Sequence, residues 1–157
     1  MLKSCLLLVL AVFLGPWLAH AGSVGIQVHV PELNWVLIVP PGGGEVHVLD
    51  LGRQAITPLA TLRNKARGAV VAVHLQPETR RVWVLGERGL DVHDAYGGRL
   101  LAHWSVPDGG RLERLDVPGR GWARVSGGAR SFEAVPGAAF LTPAARPSSA
   151  ARVGQDG

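Results

Sequence analysis

One pattern recurs along the 157 residues, twice clearly and a third time in weakened form. Val36-Leu37-Ile38-Val39, then Val46-His47-Val48-Leu49-Asp50, is matched by Val82-Trp83-Val84-Leu85, then Leu90-Asp91-Val92-His93-Asp94. Asp50 and Asp94 stand 44 residues apart. A third copy follows after about forty residues, as Trp122-Ala123-Arg124-Val125 and Arg130-Ser131-Phe132-Glu133-Ala134, and has lost the aspartate.

The local pattern says what the unit is made of. Short runs of Val, Leu and Trp alternate with Gly, Pro and Asp clusters at intervals of roughly 8–12 residues, the signature of an all-β chain. Strands are predicted at 24–30, 35–39, 45–51, 56–62, 69–75, 81–86, 90–94, 100–106, 111–117, 122–126 and 130–135. The turns between them carry Pro41-Gly42-Gly43-Gly44, Gln76-Pro77-Glu78, Glu87-Arg88-Gly89, Tyr96-Gly97-Gly98, Pro107-Asp108-Gly109-Gly110 and Gly127-Gly128. Glycine supplies the positive φ that such turns use.

Glu45 to Asp50, Arg80 to Leu85 and Leu90 to Asp94 resemble YVTN/WD40-type β-propeller repeats, and the likeness runs over roughly residues 24–135. The resemblance implies four short strands per unit, with the third ending in Asp before a small turn. Asp50 and Asp94 match that position and the third unit departs from it. The expected fold class is therefore all-β, in antiparallel four-stranded repeat units. Its architecture is expected to be an incomplete β-propeller-like assembly or a β-sandwich. Propellers carry about four to eight blades, and this chain has room for about three. Bare sheet faces and edges invite pairing. Two copies could complete a ring, another protein could cover the open side, or the strands could rearrange into a sandwich or barrel.

The ends read differently from the middle. Lys3, the apolar run from Cys5 to Leu14, the Gly15-Pro16 break and Ala19-His20-Ala21 read as a signal peptide over residues 1–21, cleaved before Gly22. The run is too short to span a bilayer core of about 30 Å, so no membrane anchor is expected after cleavage, and a periplasmic or secreted location follows. Cys5 is the single cysteine and leaves with the signal, so the mature domain cannot use disulfides. Residues 22–141 are expected to form the β domain. Residues 142–157, rich in Pro, Ala, Ser, Arg and Gly, read as a disordered tail. Without Lys3 the chain carries 15 basic and 12 acidic residues, a net charge of +3. The 14 arginines are scattered, which argues against a nucleic-acid surface.

The loop at Tyr96-Gly97-Gly98 allows a register argument. A two-residue Gly97-Gly98 turn would pair Val92 with His103 and mix polar with apolar groups on each face. A three-residue loop pairs Leu90 with Trp104 and Val92 with Ala102, giving one apolar face. Register follows burial, so the second is predicted. It sets Asp91 opposite His103 with His93 diagonal to them on a polar face. A carboxylate beside an imidazole orients it, which makes Asp91, His93 and His103, with nearby Trp83, the candidate partner- or ligand-binding residues.

Other chemistry is not indicated. His29, His47 and His74 lie in apolar strand patterns without tight metal-ligand spacing, so no metal or other cofactor is expected. There is no G-x-S-x-G motif, and Ser105, Ser126 and Ser131 show no partner base. Pro41 to Gly44 precedes neither a helix nor Lys-Ser/Thr and reads as a hairpin loop, not a phosphate cradle. Trp35, Trp83, Trp104 and Trp122 read as packing groups between sheets. The expected function is non-enzymatic: an extracytoplasmic β-repeat protein that binds a protein partner or a second copy of itself. The alternative is a ligand- or metal-binding accessory protein. YVTN-like repeats occur near quinoprotein and haem redox systems, and that resemblance alone suggests service to a redox enzyme.

Overall fold

The computed structural model describes residues 25–53, 57–65, 68–107, 110–119 and 122–144. The segment read as a signal peptide lies outside them, as do Val24, Ile56, Asp108, Gly109 and the tail from residue 145. Within them the protein is all-β: three antiparallel four-stranded sheets, not closed into a barrel. Sheet A contains β1 (Ile26–Val30), β2 (Trp35–Val39), β3 (Glu45–Asp50) and β4 (Ala60–Arg63). Sheet B contains β5 (Val70–Gln76), β6 (Arg81–Gly86), β7 (Gly89–Asp94) and β8 (Leu100–Ser105). Sheet C contains β9 (Arg114–Gly119), β10 (Trp122–Gly127), β11 (Arg130–Glu133) and β12 (Thr142–Pro143). Each is a meander in which sequential strands pair.

The repeat recognised in the sequence occupies matching places. Its two halves are the second and third strands of each sheet, β2–β3, β6–β7 and β10–β11. Asp50 and Asp94 each end a third strand and turn the chain with the carboxylate. Asp50 Oδ1 accepts from the Gly52 amide at 2.9 Å, and Asp94 Oδ2 from the Gly97 amide at 2.8 Å. Such side-chain acceptance fixes a tight turn.

The sheets stack in series. Side chains alternate between faces along a strand, and the two apolar clusters separate accordingly. Val82 and Val84 of β6 join Val30, Trp35, Leu37, Val46, Val48 and Leu62 between sheets A and B. Trp83, Leu85, Leu90, Val92 and Trp104 join Ala123, Val125, Phe132 and Leu112 between sheets B and C. Strand β6 is thus buried on both faces, with Val82 to Leu85 at most 1% exposed. The closest strand approaches between sheets are β1 to β5 and β5 to β9, so the sheets fan out from their first strands.

Several strand limits differ from expectation. β4 begins at Ala60, and β9 runs Arg114–Gly119 rather than from residue 111. The extended stretch before it is used to cross from sheet B: the Leu112 amide bonds the Glu87 carbonyl, and the Glu113 amide bonds that of Ser126. A side chain at Gly127 would collide with the Arg111 carbonyl, which is why glycine ends β10. Thr142 and Pro143, expected in the tail, form β12 against Phe132 and Glu133.

Candidate functional site

The β7–β8 hairpin has the predicted register. Leu90 pairs with Trp104, Asp91 with His103 and Val92 with Ala102. The closing turn differs. A bulge sets His93 opposite Leu100, and the Asp94 carbonyl accepts from the Gly98 amide at 2.9 Å. The turn is therefore the four residues Ala95 to Gly98, not three. Gly98 sits at φ 68°, where a β-carbon would lie 3.1 Å from the Thr61 carbonyl of β4.

That contact explains the main departure from the sequence expectation. The polar face of this hairpin is not solvated; sheet A covers it. Asp91 is fully buried and His93 is 2% exposed. Asp91 Oδ1 lies 2.5 Å from His103 Nδ1, and Oδ2 accepts from the Lys65 backbone amide at 2.5 Å. Burial by itself would raise the Asp91 pKa. The imidazoles of His93 and His103 and the Lys65 amide, with the charge of His103, outweigh burial and hold it below its ordinary 3.8. His93 Nε2 is 3.9 Å from Asp91 Oδ2, an ion-pair range rather than a hydrogen bond, and has no hydrogen-bond partner among the described residues. His93 Nδ1 lies 3.3 Å from the Gly98 carbonyl.

Ser105, for which no partner base was expected, has one. Its Oγ is 3.0 Å from His103 Nε2. His103 and Ser105 are two apart on one strand, so their side chains share a face; that alternation was the available signal. Trp83 belongs elsewhere. It faces sheet C, stacks on Trp104 with ring centres 6.1 Å apart, and donates its Nε1–H to buried Gln76 Oε1 at 3.0 Å. Gln76 gave no sequence signal. Trp35 packs edge-on to Tyr96 at 5.1 Å, whereas Trp122 is 39% exposed and packs between no two sheets.

A second feature lies where the first strands converge. A groove of about 490 Å³ is lined by His29 and Glu32 at the end of β1, by His74 and Glu78 at the end of β5, and by Val117 and Pro118 of β9. Burial lowers the His74 pKa from 6.5, against the opposing charges of Asp116 and Glu78. Among the described residues, no three His, Cys, Asp or Glu side chains are grouped to hold a metal ion.

The two ends of the stack differ. The outward face of sheet C carries Arg114, Asp116, Trp122, Arg124, Ser126, Ser131 and Glu133, with Arg124 and Glu133 paired at 3.2 Å. Arg124 lies on the face of β10 that corresponds to the Leu37 face of β2 and the Trp83 face of β6, both of which bury against the next sheet. The outward face of sheet A carries Val36, Ile38 and Leu49 within a rim of Gln27, His29, His47 and Thr61. Val36 is 4% exposed, and Ile38 and Leu49 are half-buried. Val36 and Ile38 match Val82 and Val84, with which sheet B receives sheet A. His47 and Thr61, 3.2 Å apart, stand where sheet B has Asp91 and His103.

No protein-family model matches this chain, and no curated protein matches it.

Proposed function

We propose that this protein is an extracytoplasmic binding module built of YVTN/WD40-type units, exported by its first 21 residues, and that it engages a protein partner through the outward face of sheet A. The supporting observation is the contrast between its two ends. Sheet C ends the stack with a polar, charge-paired face, as terminal repeats do. Sheet A keeps, on its outer side, the arrangement that sheet B uses to receive a neighbour. A ring of two copies would press that face against Arg114, Asp116, Arg124 and Glu133, and burying such charges is costly. The partner is therefore a different protein presenting an apolar sheet face.

A photo-crosslinking residue placed at Ile38, and separately at Ser126, tests this in the cells that make the protein. A discrete crosslinked partner from position 38 and none from 126 supports the reading. Equal capture at both positions, or only self-crosslinking, contradicts it. Mass spectrometry of the exported chain checks the processing, with Gly22 expected as its first residue.

A second reading, small-ligand binding, rests on the groove at the ends of β1 and β5. Its volume is in the range of ligand sites, about 300–1,000 Å³. His29 and His74 offer acceptors there, and Glu32 and Glu78 favour a cationic ligand. Broadening of the His29 and His74 ring resonances on titrating small amines would support it.

A further inference from the structure

The hydrogen-bonded series from Asp91 through His103 to Ser105 has no part in sheet-face binding. We infer that Ser105 is an activated nucleophile, with His103 as its general base and Asp91 as the residue that orients His103. Three observations carry this. The spacing is that of a nucleophile, a base and an orienting carboxylate: Ser105 Oγ to His103 Nε2 is 3.0 Å, and His103 Nδ1 to Asp91 Oδ1 is 2.5 Å. The direction is fixed by Asp91. A carboxylate accepts only, so Nδ1 carries the proton and Nε2 is left to accept the Ser105 hydroxyl. Access runs in the required order, with Asp91 fully buried, His103 22% exposed at its side chain, and Ser105 half-buried at the end of β8, an edge strand.

The surroundings keep the series in place. Asp91 is also held by the Lys65 amide, so its carboxylate cannot turn away from His103. The Ser105 backbone is held on its outer side, its amide bonding the Ala139 carbonyl and its carbonyl accepting from the Leu141 amide. The substrate class is an activated acyl or phosphonyl donor that carries its own good leaving group. Ser105 Oγ attacks the carbonyl carbon or phosphorus, its proton passes to His103 Nε2, and the leaving group departs as an anion. His103 gives that proton up to solvent; water then attacks the acyl carbon while His103 takes its proton, and the proton passes to Ser105 Oγ as the carboxylic acid leaves. A phosphonyl group remains on the serine.

The experiment uses the full exported chain and a fluorophosphonate probe, which loses fluoride on forming the serine adduct. Peptide mapping by mass spectrometry locates the label. The expected result is a stoichiometric adduct on Ser105, absent in Ser105→Ala. In His103→Gln the labelling rate should fall by at least about 100-fold, the usual contribution of a general base. Ser105→Ala removes one half-buried hydroxyl and should fold; circular dichroism checks this and also checks His103→Gln. An unlabelled Ser105 in wild type, beside a labelled serine hydrolase in the same tube, overturns the inference. So does wild-type-rate labelling in a folded His103→Gln. Either result leaves the sheet A reading untouched, because crosslinking at Ile38 does not involve these residues.

Discussion

Asn34 and Arg80 both adopt left-handed backbone, at φ 54° and 53°, and each is the last residue before the second strand of its sheet. Each also accepts, through its carbonyl, the amide that follows the turn aspartate: Leu51 onto Asn34 at 2.9 Å and Ala95 onto Arg80 at 3.0 Å. Residues other than glycine seldom take this conformation. Finding it twice, at matching places and with matching partners, ties sheets A and B to one structural unit.

The cost of that backbone is measurable. Asn is among the residues that tolerate the left-handed region, whereas a β-carbon without polar compensation costs about 1 kcal/mol there. Asn34→Ala should therefore be less stable than Asn34→Gly by about 1 kcal/mol in urea unfolding. Equal stabilities would show that the turn is not formed as described.

The buried Asp91 sets an acid dependence. Its folded pKa lies below 3.8, so its contribution to stability is complete above that ordinary value and is lost as pH falls through the lower, folded one. Acid unfolding of the wild type should steepen in that window, and Asp91→Asn should remove the steep part. Asp91→Ala leaves His103 and the Lys65 amide without their acceptor and should cost about 3 kcal/mol. A flat acid profile in the wild type would contradict the burial of this carboxylate.

His74 acts with the same sign nearer neutral pH. Burial depresses its folded pKa below 6.5, so the unfolded chain takes up its proton first. The stability owed to neutral His74 is present above 6.5 and declines as pH drops toward the folded value. His74→Gln should flatten that decline. Asp116→Asn, which removes a charge favouring the imidazolium, should deepen it. Stability against pH for the three proteins checks the sign.

Trp83 and Gln76 form a testable pair. Gln76→Leu leaves the buried Trp83 N–H without this acceptor and should cost about 1–3 kcal/mol. Trp83→Phe removes the donor, so adding Gln76→Leu to it should cost less than the single change does in the wild type. Additive losses would show that the two side chains do not interact.

Much of this fold was legible in the sequence because its strands are short, alternating and punctuated by Gly, Pro and Asp. The repeat located β2–β3, β6–β7 and β10–β11, and the burial pattern of Leu90, Val92, Ala102 and Trp104 fixed the β7–β8 register. What was not legible depends on neighbours. Asp91, His93 and His103 read only as a polar face, because nothing local shows that sheet A lies over them. β12 is two residues with a proline, and only its pairing with β11 makes it a strand. Trp122 has the composition of a core residue but falls on the last face of the stack, where no sheet follows.

Three four-stranded sheets stack in series, with sheet C closing one end and sheet A open at the other. Ile38 and Val84 occupy the same position in β2 and β6, and Val125 lies on the corresponding face of β10; Val84 and Val125 are fully buried, whereas Ile38 is half-buried. The direct measurement is the unfolding free energy of the three Asp substitutions in the isolated protein. Val84→Asp and Val125→Asp should each cost more than about 4 kcal/mol, the range reserved for an unpaired charge in a core, while Ile38→Asp should cost under about 1.5 kcal/mol and abolish crosslinking to the partner. Similar losses at all three positions would contradict the serial stack with an open end.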